Sequence, residues 1–164
     1  MSKSFCLAAI VTSLAIATLA MPATAQNQSC DRWTAAVEQR EEGKALTASV
    51  CAPGKDRDSV LEIVCHGREV NIRYLVIIKN DAEPKFSKQP IEFKVDGDVG
   101  EVSMAYEAMD GAFAGYFPTT SPLLTMLMSG KSVAVSATRE RLRVPVFTLK
   151  GSRKAISRVI STCR

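Results

Sequence analysis

The chain has 164 residues, of which 23% are charged, with a formal charge of +4 and a single histidine. That length suits one domain able to bury its own core, so cross-links would reinforce the fold rather than replace it. No repeat or low-complexity tract divides the chain, and the histidine count argues against Ser or Cys nucleophilic catalysis, which ordinarily needs a histidine base.

From the N-terminus, residues 1–25 read as an export leader. Lys3 gives the positive start, 5–21 is an apolar run interrupted by Ser and Thr, and Ala23-Thr24-Ala25 supplies the small-x-small pattern that signal peptidase accepts. The apolar run has no charged stop after it and is short for a membrane anchor. A cleaved leader at 1–25, a single domain at 26–164 and a periplasmic or secreted location are therefore expected. The predicted domain holds Cys30, Cys51, Cys65 and Cys163, an even set in an oxidising compartment, which reads as two disulfides. No Cys-x-x-Cys spacing accompanies them, so a metal site is not expected.

Apolar residues then recur mostly with period two, the pattern of strands. Trp33, Ala35 and Val37 precede a turn at 41–44, and Leu46, Ala48 and Val50 follow it, which makes a first hairpin. A strand at 59–66 places Leu61, Ile63 and Cys65 on one face. His66-Gly67-Arg68 reverses the chain into Val70, Ile72, Tyr74, Val76 and Ile78. The charged, proline-bearing stretch 79–90 reads as an exposed connection. Ile91, Phe93 and Val95 lead through the turn Asp96-Gly97-Asp98 to Val102, Met104 and Tyr106, and a short strand is predicted near 113–117.

A helix near 121–129 follows, with Ser121 as N-cap, Pro122 in the first position and Gly130 as the stop. Strands are predicted at 132–138 and 143–150, the latter at an edge or bulge because of Pro145. A closing helix at 152–163 takes Ser152 as its cap. Its residues divide into an apolar arc of Ala155, Ile156, Val159, Ile160 and Cys163 and a cationic arc that includes Arg153, Lys154 and Arg158. The sum is an α+β protein, an antiparallel strand-rich sheet or sandwich with two late helices packed on it. Cys65 and Cys163 both point to the core, which predicts that they pair. Cys51 falls on the polar face of its strand and is left for Cys30.

Three segments resemble the VasI-type secreted accessory proteins of type VI secretion loci and their uncharacterised relatives. These are Leu61-Glu62-Ile63-Val64-Cys65, the helix and Val-rich strand within 121–137, and Phe147-Thr148-Leu149-Lys150-Gly151 with Ala155, Ile156 and Cys163. The resemblance implies an exported accessory role and carries no catalytic residues. A weaker likeness links 64–74, with its cysteine strand and following hairpin, to the small barrels of periplasmic lysozyme inhibitors, which is the alternative reading.

No Gly-rich phosphate loop appears, so no cofactor is expected. Asp96 and Asp98 read as turn residues rather than calcium ligands. His66 reads as a surface turn residue and Met126 and Met128 as core filling. Charge is the more informative signal: residues 131–164 hold nine Lys/Arg against one acid, Glu140. An exported, non-catalytic binding protein is expected, with a protein partner in the envelope. The face formed by Arg153, Lys154 and Arg158 is the candidate for that partner or for an anionic membrane surface. Nucleic acid is not expected, since no aromatic platform lies near these cations.

Overall fold

The computed structural model describes residues 29–40, 43–76, 84, 87–139 and 144–164. The predicted leader at 1–25 lies outside them, as do Ile78 and part of the 79–90 connection. Three hairpins come first: β1 (Thr34–Arg40) with β2 (Gly43–Cys51), β3 (Val60–His66) with β4 (Glu69–Leu75), and β5 (Lys88–Val95) with β6 (Asp98–Glu107). Strands β7 (Ala112–Pro118), β8 (Ser132–Ala137) and β9 (Val146–Thr148) complete one antiparallel sheet, ordered β1-β2-β3-β4-β7-β6-β5-β8-β9. With α1 (Pro122–Ser129) and α2 (Ser152–Ile160), the chain is an α+β protein built on a single sheet.

Local chemistry explains where the strands begin. Asp96 and Gly97 both have positive φ, 50° and 114°, the backbone of a two-residue hairpin turn. Asp98 therefore already pairs with Val95, and β6 starts four residues before the predicted Val102. The Asp96 carboxylate also accepts from Lys131 N at 2.7 Å and Ser132 N at 3.0 Å, which fixes the start of β8 against the end of β5. Strand β5 likewise begins at Lys88, inside the stretch expected to be a connection. Gln89 is buried opposite Met104, and the Pro90 carbonyl accepts from Thr138 N, so proline joins the ladder as an acceptor.

The apolar rows run across the sheet in register. Val50, Leu61, Tyr74 and Phe113 form one, and Ala48, Ile63, Ile72 and Gly115 the next. Gly115 has a packing reason: a Cβ there would stand 2.7 Å from Val102 Cγ1 and 2.8 Å from Met104 Cγ. Its absence lets β6 lie close over β7. Burial pushes the Tyr74 phenol far above its ordinary range, so this ring is a neutral part of the core. Both helices cover the apolar face, α1 with Leu123, Leu124 and Leu127 and α2 with Ala155, Ile156 and Val159. α1 begins as its sequence predicts, with Ser121 Oγ accepting from Leu123 N.

The closing helix departs from expectation at both ends. Its N-cap is Gly151 at φ 82°, and Ser152 is buried in the first turn. Glycine suits this position on two counts: its backbone is left-handed, and a Cβ at 151 would lie 3.2 Å from the Trp33 carbonyl. The helix stops at Ile160 rather than Cys163. Thr162 N and Cys163 N bond back to Val159 O and Ile160 O, and Arg164 N reaches Gly67 O at 2.9 Å. This tightening brings Cys163 to Cys65, and the two are joined by a disulfide; the second bridge links Cys30 to Cys51. Cys51 lies on the face shared with Thr47 and Ser49, and that face is buried too.

The sheet curls until its ends meet. Trp33 N donates to Lys150 O at 2.9 Å, and Trp33 Nε1 donates to Thr148 O at 2.9 Å. Tyr74 and Phe147 touch edge to face across the interior, 6.3 Å between centroids.

Gly115→Ala should lower stability by about 1–3 kcal/mol through overpacking against Val102 and Met104, read as a shift of the urea midpoint at constant slope. Hydrogen bonds hold the Asp96 carboxyl below its ordinary 3.8, so it stabilises the fold above that pH and the contribution fades as pH falls through the folded value. Asp96→Asn should accordingly lower the melting temperature at pH 7, with the gap to the parent narrowing below about pH 4.

Candidate functional site

Two clefts flank the closed sheet. The first lies at the seam, has a volume of about 530 Å³, and runs between the entry to β1 and the start of α2. Its wall is apolar, formed by Trp33, Ala35 and Ala155. Around it stand four cations, Arg32, Lys150, Lys154 and Arg158. Lys154 and Arg158 are one helical turn apart on the same ridge, while Arg32 and Lys150 are carried there by the two Trp33 bonds. Arg158 Nη1 also donates to Ala35 O at 3.4 Å, which holds its guanidinium across the edge of β1.

One acid stands at the rim. Asp31 accepts from the Ser29 hydroxyl, which holds its carboxyl below the usual range with help from the charges of Arg32 and Lys150. Arg32 is 4.0 Å from that carboxylate and mostly exposed, so the pair is loose. The cleft thus presents an excess of positive charge over an apolar floor. Chemically, such a surface can hold an acidic group and shelter an apolar one beside it.

The second cleft, about 730 Å³, lies between the β1–β2 hairpin and the polar face of β3 and β4. A chain of ion pairs crosses it. Arg40 Nη2 lies 3.1 Å from Glu38 and 3.0 Å from Glu62, and Arg73 reaches Glu62 at 3.9 Å, Glu107 at 3.0 Å and Asp110 at 2.5 Å. Glu62 is buried, at 6% exposure, a position a carboxylate tolerates because two guanidiniums share it. Arg40 also donates to Thr47 Oγ1, four rungs along the hairpin from its own, so β1 and β2 curve and the Arg40 side chain lies over Thr47 and Glu62. On the rim, Tyr116 meets His66 edge-on, 5.4 Å between centroids.

The structure separates the predicted basic face. Lys154 and Arg158 line the seam cleft, whereas Arg153 is exposed on the same helix but outside it. Arg32 and Lys150 complete the cationic set. Neither was singled out by helix periodicity, since they lie outside the helix and 118 residues apart in sequence. The second cleft was not anticipated at all, because Glu62, Asn71 and Arg73 look like the solvated half of alternating strands. His66 ends β3 as an exposed residue, and the segment resembling lysozyme inhibitors turns through only Gly67 and Arg68 before β4. Among the described residues no cluster of three or more His, Cys, Asp or Glu is placed to hold a metal ion.

No protein-family model matches the chain, and neither does any curated protein. Its fold is similar to the crystal structure of invasion associated protein B from Bartonella henselae, at 17% identity and a TM-score of 0.56, covering 79% of this chain and 92% of that one. At that identity the likeness is one of fold.

Trp33→Phe should cost about 1–3 kcal/mol, because it leaves the Thr148 carbonyl without its indole donor. Thermal unfolding followed by circular dichroism measures it, since Trp33 is the only tryptophan and fluorescence would be lost with it.

Proposed function

We propose that this chain is an exported, non-catalytic binding protein that uses the seam cleft to hold an acidic segment of a protein partner in the bacterial envelope. The observation that carries the reading is the convergence of Arg32, Lys150, Lys154 and Arg158 on one apolar-floored cleft. Cations on an exposed helix alone need no partner. Cations drawn from the sheet entry, the β9–α2 connection and the helix, with one acid at the rim, form a surface of complementary sign for acidic chains. The two disulfides support an extracytoplasmic setting, because such bonds persist where the compartment is oxidising. An accessory role in secretion or envelope assembly, of the kind the VasI-type resemblance implies, fits a surface built for binding.

The experiment reverses Lys150, Lys154 and Arg158 to Glu together and compares it with Arg153→Glu, which lies outside the cleft. The probe is an oligoglutamate peptide, with vesicles containing anionic lipid as the second arm. The triple reversal should abolish peptide binding without moving the melting temperature by more than a few degrees, and Arg153→Glu should retain it. Binding by the parent should weaken as salt rises to physiological strength. Equal binding by the triple reversal and the parent would overturn the reading, and retention on vesicles alone would replace the protein partner by a membrane surface.

A further inference from the structure

We propose that the second cleft is a separate site for an uncharged saccharide. Its volume of about 730 Å³ lies in the ~300–1,000 Å³ range of small-molecule sites, and both of its guanidiniums are already engaged by carboxylates. Arg40 is shared by Glu38 and Glu62, and Arg73 by Glu62, Glu107 and Asp110. An anion entering would meet four carboxylates, and those carboxylates are themselves engaged by Arg40 and Arg73 rather than left open for a cation. What the cleft offers instead is a fixed alternation of N–H donors and carboxylate acceptors. Ligand hydroxyls, each able to donate and accept at once, match that alternation.

Two further observations point the same way. Tyr116 is a large ring half exposed to solvent at 50%, in register with Asn71 on the same face of the sheet and steadied by the edge contact with His66. A ring so placed beside an amide suits the C–H face of a pyranose, with the polar edge of the sugar directed at the cleft floor. Arg40 Nε, meanwhile, is buried with no acceptor among the described residues, and donors in that position in folded proteins meet a water or a ligand. The aromatic shelf, the ion-paired floor and the unspent donor are assembled from five strands, which gives the site a rigid base.

The test uses the full disulfide-bonded protein and saturation-transfer NMR with calorimetry. Probes are tri-N-acetylglucosamine and maltotriose as uncharged sugars, trigalacturonate as the anionic counterpart, and trilysine as a cationic peptide. At least one uncharged trisaccharide should bind, with an affinity indifferent to salt and at least tenfold better than trigalacturonate. Tyr116→Ala should weaken it about fivefold to tenfold, the scale of one aromatic contact, and Tyr116→Phe should restore it, both with unchanged melting temperature. Failure of both neutral sugars, displacement of a bound sugar by trilysine, or full binding by Tyr116→Ala would each overturn the proposal.

Discussion

The two hydrogen bonds made by Trp33 are the constraint on which the rest of the molecule depends. A nine-stranded sheet left open would present two unpaired edges, and edges of that kind recruit other chains. Here the backbone and the indole of one residue join the entry of β1 to the exit of β9, at Lys150 and Thr148. Because the ring is buried, the join lies in a dry setting where an unmade bond would cost the most. It also bears on the turn that follows, since Gly151 is left-handed and a Cβ there would crowd the Trp33 carbonyl. The first turn of α2, and with it Lys154, is placed by that step.

The disulfides hold the same assembly from either side. Cys30–Cys51 ties down the segment that delivers Trp33, while Cys65–Cys163 ties the end of α2 to β3. The helix is thus fixed at its start by the seam and at its finish by a covalent bond, with Ile156 and Val159 buried between. With its cysteines 98 positions apart in sequence, the second bridge is worth on the order of 4 kcal/mol in the chain-entropy picture. A helix of nine residues is marginal alone in water. Its persistence here comes from these attachments and from the apolar arc, and Lys154 and Arg158 on the other arc are left to line the cleft.

How much of this was legible follows from the range of each interaction. Alternation located the strands because it is local, and the Asp-Gly pair marked its hairpin because its backbone preference is intrinsic. The short helix at 121–129 announced itself through Ser121, Pro122 and Gly130. What escaped were features set by distant partners. The Lys88–Pro90 segment looked like a connection until Thr138 and Met104 stood beside it. Glu62 and Arg73 looked like solvent-facing residues because nothing local says that Arg40 bends over them. The seam cleft was half visible: helix periodicity put Lys154 and Arg158 together, but it also enrolled Arg153, and only closure of the sheet supplies Arg32 and Lys150.

Closure at Trp33 has a temporal meaning as well. The hairpins β1–β2 and β3–β4 pair neighbours along the chain and can form early, at little cost in chain entropy. The indole bond to Thr148 spans 115 positions, so it must wait for nearly every other pairing, and topologies of this kind fold slowly. The four cations come together only at that last event. A chain trapped with its sheet open has no seam cleft to offer. Recognition through this surface would therefore distinguish finished molecules from unfinished ones.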